Sequence, residues 1–137
     1  MTTHIRNSER ADLQTIFDQL TGEGMTKNNV DSVSLYESMI RMDAESIRVL
    51  VDDSGAIIGC YFLTSGLYAI LWRLHVVPSH RGQKLGQLLV EDAKMLAKRK
   101  GHSQLQFIVK ASNEPLQRWY SSLGAKKGNV WQWMWFE

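Results

Sequence analysis

Between Ile47 and Lys100 the apolar residues change period once, and the change falls between Pro78 and Leu85. Ile47–Val51 and Ala56–Thr64 are β-rich runs joined by Asp52-Asp53-Ser54-Gly55, short polar residues followed by a glycine suited to positive φ. Tyr68–Val77 follows a turn at Ser65-Gly66, so three successive antiparallel strands are expected. Pro78 stops the third, because it cannot donate a ladder hydrogen bond and it biases Val77 away from helix. From Leu85 to Lys100 the residues Leu85, Leu88, Leu89, Ala93, Leu96 and Ala97 line one helix face. Lys98, Arg99 and Lys100 complement the dipole of its last turn, and Gly101 closes it. A sheet feeding a long amphipathic helix buries itself only by packing that helix on a face.

The flanks extend the pattern. Thr3–Arg6 reads as a short first strand, followed by a helix with Ser8 as N-cap, Leu13, Ile16, Phe17 and Leu20 inward and Gly22 at its end. Glu23–Asn29 reads as a loop, and Asp31–Met42 as a second helix with Leu35, Met39 and Ile40 inward. Gln104–Val109 reads as a strand and Asn113–Leu123 as a helix with Pro115 in its first turn. Val130–Phe136 alternates strictly and reads as the last strand. The order β-α-α-β-β-β-α-β-α-β predicts an α/β fold: a mixed, mostly antiparallel sheet of six to seven strands with four helices. The 137 residues suit a single domain over 1–137.

Composition excludes several classes. Sixteen basic against fourteen acidic residues leave +2, which gives no reason to expect a nucleic-acid or membrane partner. Lys94, Lys98, Arg99, Lys100 and His102 then read as a solvated helix end. Cys60 stands alone, so no intrachain disulfide or cysteine-based zinc site exists, and the scattered histidines suggest no metal. The longest mostly apolar stretch, Ala56 to Leu63, falls well short of the roughly 20 residues of a membrane helix. Met1 to Arg6 has no apolar core of a secretory signal, and the cytoplasm is the expected compartment.

The chemistry concentrates between strand and helix, at Arg81-Gly82-Gln83-Lys84-Leu85-Gly86. Backbone N–H groups of a turn and a helix start converge there, the helix dipole adds positive potential, and Arg81 and Lys84 add full charges. No acidic side chain occupies the helix's first turn. The spacing is neither a Walker loop nor a dinucleotide fingerprint. An ordinary strand-to-helix turn with solvated charges is the plain alternative.

Leu74-x-Val76-x-Pro78-x-x-Arg81-Gly82-x-x-x-Gly86-x-x-Leu89 resembles the acyl-CoA-binding signature of the GNAT superfamily of N-acetyltransferases. Ile5-Arg6 with Ala11-Asp12-Leu13, Asp53-Ser54-Gly55 before Ile58-Gly59, and Asn113 followed by Trp119-Tyr120-Ser121-Ser122-Leu123-Gly124 are similar to further elements of that family, in the family's order. The family usually has glycine where Lys84 stands and often an aromatic where Ala125 stands. The resemblance implies acetyl-CoA as co-substrate and an amine acceptor of small-molecule or peptide type. Transfer would be direct, in a ternary complex. It places the pantetheine arm against Leu74, His75 and Val76, and the pyrophosphate on the amides of Arg81, Gly82, Gln83, Lys84, Leu85, Gly86 and Gln87. It puts Asn113 near the cofactor arm, although a plain N-cap accounts for that residue equally well. Tyr120 matches the family's general acid, since a phenol can protonate a departing thiolate. A core tyrosine is the alternative.

The attacking amine has a pKa near 10.4 and must lose a proton first. His75 is a candidate base, against a structural histidine; Asp31, Glu37 and Glu137 are others. Glu23–Asn29 and the second helix would wall the acceptor pocket. Trp131, Trp133 and Trp135 share one side of the last strand and read as core, with pocket or homodimer contact as alternatives. A non-catalytic acyl-CoA-binding regulator is the alternative function.

Overall fold

The alternating runs pair as their turn chemistry dictates. The computed structural model describes residues 1–27 and 30–137. Strands β1 (His4–Asn7), β2 (Ile47–Val51), β3 (Ile57–Ser65), β4 (Ala69–Val76) and β5 (Leu105–Phe107) lie in the order β1-β2-β3-β4-β5. The first four are antiparallel, and β5 joins β4 in parallel. The Asp52 side chain ties the β2–β3 turn, accepting from the Ser54 and Ala56 N–H groups at 2.9 and 3.0 Å.

Each face of the sheet has its own cover. Helix α1 (Leu13–Gly22) and helix α2 (Val33–Met42) place Leu13, Ile16, Leu20 and Tyr36 against Ile47, Val49, Val51, Cys60 and Phe62. Helix α3 (Leu85–Arg99) places Leu85, Leu89, Ala93, Leu96 and Ala97 against Leu50, Ile58, Tyr61, Leu63 and Leu71. Each buried leucine contributes about 1.5–3 kcal/mol of apolar transfer. The period-2 split of β2, with Val49 and Val51 to one side and Leu50 to the other, shows why both faces are apolar.

Several local expectations are corrected. Ser8 does not cap a helix: its N–H donates to the Ile47 carbonyl at 2.9 Å. Glu9 and Asp12 instead form a capping box over a short 3₁₀ turn, Arg10–Asp12, that leads into α1. Ser32 caps α2, so that helix starts at Val33. Its buried residue is Tyr36, whereas Leu35 lies 37% exposed. Leu88 of α3 is also exposed.

Residues Met1–Phe107 form one compact unit, and Ile108–Glu137 form another. The second contains helix α4 (Glu114–Ser122), with Pro115 in its first turn and Asn113 as N-cap. The expected last strand is absent: residues 130–136 form no ladder among the described residues, so the sheet has five strands. Trp131, Trp133 and Trp135 are 84%, 67% and 71% exposed, which overturns their reading as core. Alternation encodes only a preference for extended backbone, and a strand exists only once a neighbour supplies its ladder.

Candidate functional site: the free edge of β4 and the start of α3

The site begins with a distortion. Between Cys60↔His75 and Phe62↔Trp72 the β3–β4 register slips by one, leaving an extra residue on β4. Arg73 sits there in the left-handed region, at φ 52°. Its guanidinium is held by Asp31 through two contacts of 2.9 and 2.7 Å, and the Tyr36 hydroxyl donates to the same carboxylate at 2.6 Å. The Asp31 side chain is 3% exposed. This bridge between the approach to α2 and the bulge is invisible in the sequence, because its partners lie 42 residues apart.

Beyond the bulge, one edge of β4 has no strand paired to it among the described residues. Its pairing with β5 covers only Ala69↔Leu105, Ile70↔Gln106 and Leu71↔Phe107. The Val77 N–H donates to Ile58 O at 2.9 Å on the β3 side. By strand alternation, the N–H groups of Val76 and Leu74 face the opposite, open side. His75 differs from them. Its backbone is turned to β3, where a Cβ on Gly59 would lie 2.9 Å from the His75 carbonyl oxygen. Gly59 thus lets β3 approach β4 closely beneath Leu89 of α3.

The free edge leads into a short 3₁₀ turn, Pro78–His80, and then into the loop. Gly82 has φ +80°, with nothing within 4 Å of where a Cβ would stand. Lys84, the N-cap of α3, is also left-handed at φ 62°. That conformation explains the family's preference for glycine here, since a side chain in it costs about 1–2 kcal/mol. The helix ladder opens with Leu88 N–H on Lys84 O, at 3.2 Å. The N–H groups of Leu85, Gly86 and Gln87 therefore have no acceptor within the helix, no side chain among the described residues caps them, and no acid lies in the first turn. This donor set suits a pyrophosphate.

The loop's cations behave differently from one another. Arg81 turns back: its Nε donates to Val76 O at 3.0 Å, and its guanidinium pairs with Glu23, just after α1, at 3.1 Å. Lys84 is exposed and, among the described residues, makes no ion pair. At the other end of α3, Lys94 pairs with Glu91 and Lys100 with Asp43, so that cluster is largely neutralised.

His75 is buried, and among the described residues neither ring nitrogen has a hydrogen-bond partner. Glu23 Oε1 lies 3.8 Å from Nε2. Burial pushes the imidazole pKa down, against the pull of Glu23. Of the other base candidates, Asp31 is engaged by Arg73 and Tyr36, Glu37 pairs with Arg10 at 3.3 Å, and Glu137 is exposed. In the sequence Glu23 is marked only as the first residue of the loop expected to wall the acceptor pocket, not as a partner of His75. The expected acceptor wall, Glu23–Asn29, is described only to Lys27; Asn28 and Asn29 lie outside the described residues.

Within the second unit, Asn113 Oδ1 accepts from Leu116 N–H at 3.2 Å, so the N-cap role is real. That bond leaves its Nδ2 donors for other acceptors. Tyr120 is the buried residue of α4, and burial pushes its phenol up to about 12. It therefore stays a proton donor at neutral pH. Buried Cys60 is likewise pushed up to about 12, so it is a core thiol and not a nucleophile. Among the described residues no cluster of His, Cys, Asp and Glu could hold a metal ion, and no helix is long and apolar enough to cross a membrane.

An open strand edge running into uncapped helix amides is the architecture expected of an acyl-CoA enzyme, and the chain belongs to the Acetyltransferase (GNAT) family, whose profile matches residues 13–125. A Bacillus subtilis (strain 168) protein provisionally named ribosomal protein bS18-alanine N-acetyltransferase is 34% identical over 62 residues. That match takes in 45% of this chain and 41% of the relative's length. Among solved structures, a protein described as a transcriptional regulator from Bacillus halodurans C-125 superposes with TM-score 0.78 at 21% identity, over 98% of this chain and 100% of that one. N-acetylglutamate synthase from Neisseria gonorrhoeae, complexed with coenzyme A and N-acetyl-glutamate, superposes with TM-score 0.71 at 16% identity, over 90% of this chain and 28% of that one. At these identities the structures establish the shared fold.

Proposed function

We propose that residues 1–137 act as one N-acetyltransferase domain that moves an acetyl group from acetyl-CoA to a primary amine of a small molecule or peptide, directly and in a ternary complex. The observation that carries this reading is the free β4 edge leading into the uncapped amides of α3. Acetyl-CoA, when bound, supplies an acetyl thioester. The N–H groups of Leu74 and Val76 would order the pantetheine arm, and the amides of residues 82–87, with the Lys84 and Arg81 side chains, would hold the pyrophosphate, the Arg81 N–H itself donating to Pro78 O at 3.3 Å. Asn113 would use its Nδ2 donors on the same arm. His75 would take a proton from the acceptor amine, and Tyr120 would give one to the departing sulfur. The relative named for an alanine of a ribosomal protein and the neighbour complexed with N-acetyl-glutamate support a peptide and a small-molecule acceptor respectively.

The test is thiol release from acetyl-CoA across a panel of peptide N-termini and small amines. Tyr120→Phe should lower kcat by about 10²-fold or more with CoA affinity nearly unchanged. Unaltered turnover in that variant refutes Tyr120 as the acid. CoA binding without turnover on any amine would instead favour a non-catalytic acyl-CoA-binding regulator.

A further inference from the structure

One carboxylate oxygen serves two cationic centres beside the loop. Glu23 Oε1 is 3.1 Å from the Arg81 guanidinium and 3.8 Å from His75 Nε2. The second distance is too long for a hydrogen bond, and among the described residues both imidazole nitrogens are without a partner. The two sites differ in access: the Arg81 side chain is 51% exposed and that of His75 only 4%. Arg81 belongs to the anion-binding loop, and Glu23 closes the C-terminus of α1. A ligand phosphate can reach Arg81 from solvent, whereas His75 is buried and answers through Glu23 and through the charge of Arg81 itself.

We infer that Glu23 is a positioning residue that makes the proton affinity of His75 respond to the loop. A phosphate oxyanion that accepts from Arg81 draws the guanidinium off Glu23. The freed carboxylate then accepts from Nε2–H, and the imidazole binds a solvent proton more tightly. The inference rests on the reading of the loop as a CoA pyrophosphate site. The signs of the local charges agree. Arg81 disfavours a charged imidazole and Glu23 favours it, so an anion on Arg81 cancels the first influence and strengthens the second. Two flanking groups on β3 and β4 add no competing charge. Cys60, the register partner of His75 on β3, is a neutral buried thiol, and Arg73, two residues upstream on β4, is already neutralised by Asp31. A base kept weak until the anion arrives would gain basicity in the CoA-bound state.

Titration calorimetry of the whole chain with coenzyme A, in two buffers of different ionisation enthalpy, reads the linked protons. At roughly pH 6, near the ordinary histidine range, wild type should take up a substantial fraction of one proton more than Glu23→Gln; at roughly pH 8 the difference should vanish. Proton changes on the phosphates of CoA are common to both chains and cancel. Equal stoichiometry in two chains that both bind CoA overturns the inference while leaving the loop reading intact. Absence of CoA binding to wild type overturns both. Should Glu23→Gln lose CoA binding, the NMR titration midpoint of His75, assigned with His75→Gln, decides within the wild-type chain. A midpoint raised by saturating CoA supports the coupling, and an unmoved one overturns it.

Discussion

Removing the Asp31 carboxylate removes the acceptor for two Arg73 contacts, at 2.9 and 2.7 Å, and for the Tyr36 hydroxyl at 2.6 Å. The Asp31 side chain is 3% exposed and that of Arg73 22%. Breaking a fully buried pair from one side costs about 3–5 kcal/mol, because the surviving charge is stranded. The partly exposed guanidinium regains some hydration, so Asp31→Ala should cost about 2–4 kcal/mol. Arg73 adds a second, separable quantity. At φ 52° a side chain costs about 1–2 kcal/mol that glycine does not incur. Arg73→Gly and Arg73→Ala lose the same ion pair, so the glycine variant should be the more stable by about 1 kcal/mol, despite its looser unfolded chain. Urea unfolding followed by circular dichroism, run for Asp31→Ala, Arg73→Ala and the double variant, yields the coupling energy. We expect about 2 kcal/mol. A coupling below about 0.5 kcal/mol, with alanine no worse than glycine at position 73, refutes both the latch and the strain.

Three further outcomes follow from the geometry. The His75 pKa is lowered in the folded chain, so below its ordinary value of about 6.5 the unfolded state binds more protons. Stability should therefore fall on acidification through that window, with a slope of up to about 1.4 kcal/mol per pH unit, and Glu23→Gln should steepen the loss by removing the one group that favours the charged ring. Lys84→Gly should leave stability equal or higher by up to about 1 kcal/mol, since the position is left-handed, yet weaken CoA binding and reduce its salt dependence; tighter binding would contradict the assigned role of the cation. Replacing Trp131, Trp133 and Trp135 together by serine should remove red-shifted fluorescence while changing unfolding stability by less than about 0.5 kcal/mol, whereas a large loss would return the indoles to a core.

The parts of the fold legible in the sequence are those whose chemistry is local. The turn at Asp52–Gly55 bonds within itself, Pro78 removes a donor from its own strand, and the α3 face repeats within one helix. The loop was legible for the same reason, since glycine, cation and helix start are consecutive. Residues 130–136 show the converse. Their alternation is as regular as that of β2, but β2 lies between β1 and β3, and no strand among the described residues pairs with the tail. Periodicity states which face would be buried; it does not supply the neighbour.

The site divides along the same line, and for that reason the sequence does not single out one base. Asp31, Glu37 and Glu23 are equally acidic in the sequence, yet the fold commits the first to Arg73, the second to Arg10 and the third to Arg81 beside His75. Each commitment joins residues at least 27 positions apart. Carboxylate count therefore says little about which acid lies beside His75, while the cation opposite each carboxylate separates them. Arg73 and Arg10 are held by contacts that a phosphate at the α3 loop has no reason to disturb. Arg81 belongs to that loop, so Glu23 is the carboxylate whose partner a bound pyrophosphate would compete for, and its neighbour His75 is the group through which such competition would reach the chemistry.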